Sequence, residues 1–555
     1  MKFLLAAMSL LLPLTTHAAG VAVPNAGSIL QQVQPTLPQV PSSNGTGLNI
    51  EQESTGKLPP SASFEVKVIV ISGNNLFDIK LLHALVADAE GKTLTLSDLD
   101  QLSNRITDYY HEHGYPLARA YIPAQTIKEG MVRIHLIEAR YGQIKLDNRS
   151  QVQNTVLQAT LAPLKSGQSI EQTAMDRTLL LLSDIPGIEV GATLKPGEAV
   201  GTSDLVVEAA PTPRVTGNAE FDDYGNRVTY RERASGAITF YNPMHRGDYL
   251  SFNALTSGQD MTYGRIAYDS LLNGQGSHLG ASYSSLHYIL GDTLSSLGGH
   301  GTAQVSSLWI RHPFNRRMGS NLNGQIQFEQ MILRDDIDST GIKTDRHLNN
   351  WTLSLSGDSR DTRLSNEAIN TWSVNWAAGQ IVFDNVSAQA ADKATAKTQG
   401  DFSKWNINLA RLQSLSQKNA VYISFAAQVA NENLDSSQKM PIGGPYTVRA
   451  YDMGVVSGDA GYLLTTELRH DFEQPWQGQL QGVIFADTAR VTINKNVWVK
   501  GTNNATLTGA GVGLNWIGPK LWSAKACFAT PLGSKPEQVG TTSSVRAWIE
   551  ISKAF

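Results

Sequence analysis

A chain of 555 residues can hold several domains, and its 45 basic against 49 acidic residues leave a net charge of −4, which gives no electrostatic case for nucleic-acid binding. A lone cysteine, Cys527, excludes an internal disulfide framework and reads as a buried strand residue. Hydrophobic content is modest at 41%, and glycine is plentiful at 48 residues.

Residues 1–18 read as a secretory signal: Lys2, an apolar run from Phe3 to Leu14, then Thr16-His17-Ala18 before Ala19. Beyond it no stretch of 18 apolar residues follows, so an exported chain of this kind is periplasmic, secreted, or an outer-membrane barrel. Residues 19–62 are poor in charge and rich in Pro, Ser, Gln and Asn. Ala26–Gln34 is helix-capable and Pro35 stops it, so the segment reads as a tether with one short helix.

From residue 63 the pattern changes. Phe64–Asn74 alternates as a strand through Val66, Val68 and Val70, and a helix is expected over Phe77–Ala87. A second helix opens at Ser97 with Asp100 as its capping pair, carries Leu99, Leu102, Ile106 and Tyr109/Tyr110 on one face, and stops at Gly114. Strands Ala118–Pro123 and Met131–Ile137 close this unit (63–141). The same order recurs over 142–211: strand Gln143–Leu146, helix Gln151–Ala162, a helix capped by Ser169 and Gln172, then strands Glu189–Leu194 and Ser203–Glu208. Two copies of roughly 70–80 residues form an internal repeat of small α+β units.

Pro211 and Pro213 mark the passage to 212–555, where no helical pattern of useful length occurs. Alternating runs split by Gly, Asn, Asp and Ser fill it, among them Gly236–Tyr241, Asp248–Leu255, Trp351–Ser356, Asn406–Leu412, Val421–Val429 and Thr508–Trp516. At this density the segment accommodates about 16 strands of a transmembrane barrel; a soluble β-sandwich would give a similar alternation. In the final strand Val545, Ala547, Ile549, Ile551 and Phe555 share one face and Arg546, Trp548, Glu550 and Ser552 the other, as expected between lipid and a wet lumen.

The stretch that carries a site is Gly443–Phe472. Val448-Arg449-Ala450-Tyr451 stands between Gly443-Gly444-Pro445 and Gly454, followed by an alternating strand, Tyr462–Phe472, and a second ending Phe485-Ala486-Asp487. If both strands line a barrel, Glu467, Phe485 and Asp487 face one side, and an inward-folded loop could pair Arg449 with Asp487 or Glu467. An ordinary glycine-rich loop with a solvated arginine is the alternative.

These residues resemble a known family. Val-Arg-Ala-Tyr ahead of Phe-x-Asp is similar to the sixth-loop and strand signatures of the two-partner secretion transporters of the BamA-like superfamily; the family usually has glycine where this chain has Ala450. Gly114-Tyr115, Tyr121-Ile122-Pro123-Ala124-Gln125, Ile137-Glu138-Ala139 and Gly142 in the first repeat resemble POTRA modules. So do Leu179–Pro186-Gly187 and Gly201-Thr202-Ser203-Asp204 in the second. The resemblance implies a barrel in the outer membrane, two POTRA domains in the periplasm, and a plug formed by the N-terminal helix. It also implies secretion of a large β-helical exoprotein (adhesin, haemolysin or contact-dependent inhibition toxin) without nucleotide. Partners implied are the exoprotein's N-terminal secretion domain, outer-membrane lipid, and the barrel-assembly machinery, which would read Trp548 and the terminal Phe555. Exposed POTRA edges accept extended segments by adding a strand, and Val66, Val68, Val70 and Ile71 are the candidates.

No enzyme motif stands out. His111-Glu112-His113 has its histidines two apart, which cannot share a helix face. Gly509-Ala510-Gly511-Val512-Gly513 lies in a strand pattern with no helix after it and is no phosphate loop. Ser, His and Asp occur in the barrel segment, but no motif brings them together. No cofactor or metal is expected. An assembly factor of the BamA-like type would typically bring three or more POTRA units, and a passive porin would need none.

Overall fold

The structure, a computed structural model, describes residues 23–33, 48–50, 62–364, 366–473, 477–540 and 543–555. The expected signal segment and most of the expected tether lie outside these residues.

Sixteen antiparallel strands close into one barrel. In chain order they are β1 Val215–Asp222, β2 Arg233–Tyr241, β3 Asp248–Thr256, β4 Met261–Leu271, β5 His278–Ile289, β6 Gly299–Arg316, β7 Ser320–Ile337 and β8 Ile342–Asp361. They continue as β9 Ala368–Phe383, β10 Gly400–Ser414, β11 Asn419–Ala430, β12 Ala460–Phe472, β13 Gln479–Thr492, β14 Asn504–Ile517, β15 Trp522–Pro531 and β16 Arg546–Ala554. Each strand pairs with the next, and β1 pairs with β16 from Asn218↔Ala554 to Asp222↔Glu550, which removes every open edge. Alternation decides which side chain meets lipid. Ile326, Trp351, Leu353, Trp405, Ile484 and Ile549 are exposed on the outer surface, while their strand neighbours turn inward. A soluble sandwich would bury such residues between two sheets; here they form an apolar outer belt.

Strands β6, β7 and β8 have 18, 18 and 20 residues, well beyond the roughly ten that span a bilayer. The excess projects past the rim opposite the POTRA repeats. The expected absence of helix is corrected there. Val386–Ala394 forms a nine-residue helix in the loop between β9 and β10, too short and too polar to stand out against strand alternation.

Both small units fold as α+β modules. In the first, strands Val68–Ser72, Met131–Ile137 and Arg119–Tyr121 form a sheet, with helices Ile79–Ala84 and Leu96–Glu112 packed on it. The long helix is capped by Thr95 and Asp98, two residues earlier than the Ser97/Asp100 pair; the Thr95 side chain accepts from the Asp98 amide while the Asp98 carboxylate accepts from the Thr95 amide. In the second unit, helix Gln172–Ser183 is preceded by Glu171, which makes no side-chain cap, so Ser169 and Gln172 do not cap it. Its sheet gains an extra strand from the tether: Leu48–Ile50 pairs in parallel with Ile188–Pro196. This unit docks on the barrel rim. Asp184 receives Arg316 Nε and Nη2 at 2.7 and 2.8 Å, and Arg177 Nη2 donates to the Pro313 carbonyl at 3.0 Å.

Glu138 pins the first unit. It is buried and accepts from the Asn75 and Leu76 amides at 2.7 and 2.8 Å and from the Tyr110 hydroxyl at 2.8 Å. Burial pushes its pKa up, but the Asn75, Leu76 and Tyr110 donors outweigh burial and the net shift is downward from 4.5. A depressed folded pKa contributes stability that is fully present above pH 4.5 and is lost as pH falls through the lowered value. Glu138→Ala removes the acceptor of two part-buried amides and of the buried Tyr110 hydroxyl, at a cost on the order of 3 kcal/mol. The Asn75 and Leu76 amides should then exchange with deuterium about a hundredfold faster; unchanged exchange would refute this role.

Candidate functional site: the inward loop and the plug

Between β11 and β12 the chain does not turn at the rim. Residues 431–459 fold back into the lumen, carrying a short hairpin of Met440–Ile442 with Val456–Gly458. Gly443 and Gly444 have φ of +97° and +112°, a region closed to L side chains without strain. A Cβ on Gly443 would lie 2.4 Å from the Asp452 carbonyl, so the tip closes only with glycine there.

The tip presents Arg449. Its Nε and Nη2 donate to Asp487 Oδ2 and Oδ1 at 2.9 and 2.8 Å, and its own amide donates to Asp487 Oδ2 at 3.1 Å. Nη1 donates to Glu467 Oε1 at 2.7 Å, and the guanidinium stacks 3.5 Å over the Phe485 ring. The four positions meet because β12 and β13 pair with Glu467 opposite Phe485 and Thr465 opposite Asp487, so odd residues of both strands face the lumen. Thr465 also donates to Asp487 Oδ1 at 3.1 Å, and Glu467 Oε2 accepts from Arg469 at 2.7 and 2.9 Å. Asp487 is 1% exposed, so its charge is compensated almost wholly by Arg449. Val448, Ala450 and Tyr451 are buried around the arginine in one apolar cluster with Phe485 and Leu507.

Ala450 fits because β14 offers Gly509 beneath it: a Cβ built on Gly509 would lie 2.5 Å from the Ala450 Cβ. The run Gly509–Gly513 is thus partly a seat for the loop. Gly509→Ala should lift the tip and speed deuterium exchange of the 448–451 amides severalfold, and Ala450→Gly in the same chain should restore it; absence of rescue would disprove the contact.

Trp548 lies on the lumenal side of β16, the face that strand alternation assigns to it. It is 1% exposed, and its Nε1 donates to the Arg449 carbonyl at 2.7 Å. Arg546 stacks on it at 4.2 Å and pairs with Asp452 of the loop at 3.2 Å. Phe555, in contrast, is exposed on the outside, next to Gly217 of β1. Of the POTRA candidates, Val66 and Ile71 are buried in the core of their module, since their side chains alternate inward; only Val68 and Val70 face solvent. Cys527 lies on β15 opposite Trp548, half-buried and free.

The short helix expected ahead of Pro35 is present and forms a second closure. Helix α1, Ala26–Val33, lies inside the barrel, its Ile29 and Leu30 packed in a lumenal cluster with Tyr288, Met331, Leu333 and Leu348. The Ala26 amide donates to Asp335 Oδ1 at 2.7 Å. Asp335 also receives the Tyr288 hydroxyl at 2.6 Å and Arg346 Nη1 at 2.7 Å, and Arg346 Nε reaches Asp435 of the inward loop at 2.6 Å. From the loop, the Ser437 and Lys439 carbonyls accept from Gln31 of the helix at 2.8 and 2.7 Å. Helix, wall and loop are one hydrogen-bonded assembly across the lumen. Among the described residues there is no group of His, Cys, Asp and Glu able to hold a metal ion.

A closed outer-membrane barrel with an inward loop, a lumenal helix and periplasmic POTRA modules defines a protein-translocating barrel of the BamA-like architecture. Residues 201–516 match the model of the haemolysin secretion/activation protein family ShlB/FhaC/HecB, and residues 64–139 match the ShlB-type POTRA domain. The chain belongs to the ShlB/FhaC/HecB family and is an outer-membrane translocator for exoprotein secretion, its POTRA domains in the periplasm. It is 26% identical to the heme/hemopexin transporter protein HuxB of Haemophilus influenzae over 99% of this chain and 98% of that one. It is 23% identical to the outer membrane transporter CdiB of Escherichia coli over 81% of this chain and 76% of that one. The solved structure of CdiB from Escherichia coli superposes with a TM-score of 0.71 at 20% identity, covering 92% of this chain and 94% of that chain.

Proposed function

We propose that the chain exports one large exoprotein partner as an extended, unfolded polypeptide through a lumen closed at rest by α1 and the Arg449 loop. The observation that carries this reading is the clasp itself: one arginine tip holds two wall strands through Asp487 and Glu467 while its loop holds the helix through Gln31. A passive porin has no use for such a double closure, and an assembly factor has no use for a helix filling its lumen.

The division into a plug and tether (19–62), POTRA units (63–141 and 142–211) and barrel (212–555) follows this reading. Val68 and Val70, exposed on an edge strand, form the face on which the exoprotein's secretion domain adds a strand. Near-complete alignment with a heme/hemopexin transporter favours an exoprotein that handles heme or hemopexin over a contact-dependent inhibition toxin. The chain acts by binding and transport, without catalysis or nucleotide, in contact with outer-membrane lipid, and is inserted by the barrel-assembly machinery; nucleic acid plays no part. Folding of the exoprotein outside supplies the direction.

The test is a comparison of the growth medium of the native host with and without this chain. Loss of one large polypeptide that binds hemopexin or heme is expected. An unchanged medium would contradict the reading.

A further inference from the structure

The lumen has two unlike walls. On β12–β16 and β1–β2 apolar and small inward side chains seat the loop, and the charges among them pair with one another, as in the Arg449 clasp and the Lys525–Glu550 pair at 2.8 Å. On β7–β11 the register sets Gln325 opposite Ser354, Ser354 opposite Asn375, Asn375 opposite Asn406, and Asn406 opposite Gln428. Their neighbours Ile326, Leu353, Leu355, Trp405 and Ile407 are exposed to lipid, so this row faces the lumen. Five strands thus present one row of amides and a hydroxyl, with the charges of Glu329 and Lys404 further along the same faces; at its end Asn406 Nδ2 donates to Gln428 Oε1 at 2.8 Å, and Gln428 Nε2 donates to the Gln438 and Asp459 carbonyls of the loop at 3.1 Å.

Two further features point to a ligand. Asn350 Oδ1 and Asn375 Oδ1 have no hydrogen-bond partner, although the two residues are only 3% and 8% exposed. At the β10–β11 end of the row a cavity of about 300 Å³ is walled by Asn406, Asn408, Gln428, Lys404 and Lys439 and by Gln31 of the plug helix. The band therefore leads to the underside of the closure.

A polypeptide crossing extended carries one backbone N–H and one C=O per residue, whatever its sequence. Amide side chains both donate and accept, so they match every backbone unit equally, and exchange with water keeps each contact weak enough to release. Charged side chains would instead hold oppositely charged stretches and repel like ones. We infer that Gln325, Ser354, Asn375, Asn406 and Gln428 form a sequence-tolerant binding track for the extended backbone of the exported polypeptide, ending at the plug. This rests on the export reading above, and it assigns the path to the β7–β11 wall and not to the clasp wall.

The probe is the polypeptide whose presence in the medium depends on this chain. Asn375→Leu with Asn406→Leu should lower its secretion about tenfold, while Asn375→Ser with Asn406→Ser should stay within about twofold of native. Asn515→Leu, an amide change on β14, should also stay within about twofold. Barrel folding is read from heat-modifiable migration on gels. Native-level secretion by the leucine pair, or an equal loss with Asn515→Leu, would overturn the track. If the leucine barrel does not fold, a photo-cross-linking residue in place of Ser354 should capture the polypeptide in transit, and one in place of Asn515 should not; no capture at 354, or equal capture at both, overturns it too. If deleting the whole chain removes nothing from the medium, the export reading itself fails, a result distinct from all of these.

Discussion

Arg449→Ala should abolish secretion while the barrel still inserts and migrates as a folded species. Removing the guanidinium leaves Asp487 with Thr465 and the residue-449 amide as donors but no counter-charge, and leaves Glu467 only Arg469. Breaking a buried ion pair by deleting one partner costs about 3–5 kcal/mol, enough to shift a loop equilibrium by roughly two to three and a half orders of magnitude. The loop tip then leaves its seat, and the Trp548 and Asp452 contacts go with it. Barrel closure depends instead on inter-strand hydrogen bonds that the loop does not supply, so insertion survives. Arg449→Lys should recover little, because an ammonium cannot reproduce the two-pronged contact with Asp487. Asp487→Asn should mimic the loss. Secretion at native level by Arg449→Ala would remove the clasp from the mechanism.

The second large effect is expected at Arg346. It is 2% exposed and bridges Asp335 of β7 to Asp435 of the loop, and Asp335 in turn holds the first amide of α1. Arg346→Ala places two buried carboxylates near each other with no counter-charge, again at about 3–5 kcal/mol. The least costly relief is for helix and loop to move apart, since α1 is only eight residues long and has little stability of its own. Cells carrying the variant should admit large antibiotics that the outer membrane normally excludes, with sensitivity rising at least tenfold. Arg346→Ala with Asp435→Asn should be milder, because one orphan charge is gone. Unaltered sensitivity in the single variant would show that the latch does not hold the plug.

Much of this architecture was legible because strand alternation is a local signal. Val545 to Phe555 sorts its faces within eleven positions, and Glu467, Phe485 and Asp487 fall on one face by strand parity, while the pairing of the loop residue Arg449 with them is singled out by the family resemblance. The failures are of another kind. The contact of Trp548 with the loop is not legible, because the loop that covers it comes from a hundred residues away and no local pattern announces it. Val66 and Ile71 were placed with Val68 and Val70 because all four are apolar; the single residue at 67 outside the ladder shifts the parity and sends Val66 inward with Ile69 and Ile71. Thr95 escaped notice because Ser97 and Asp100 offer the same spacing two residues on, and only the position of the first core residue separates the two caps. The Arg346 latch joins α1, β7, β8 and the loop, four segments with no shared period. Such lumenal contacts are set by closure of the barrel, a long-range event that leaves no mark on neighbouring residues.

Planar-bilayer conductance of the purified protein, full-length and lacking residues 23–33, tests the central claim most directly. If the lumen is a protein-conducting path closed by its own helix, the full-length protein gives small, noisy currents and the shortened one much larger, longer-lived openings. Equal and steady conductance in both would contradict the account, for then neither α1 nor its latch closes the path.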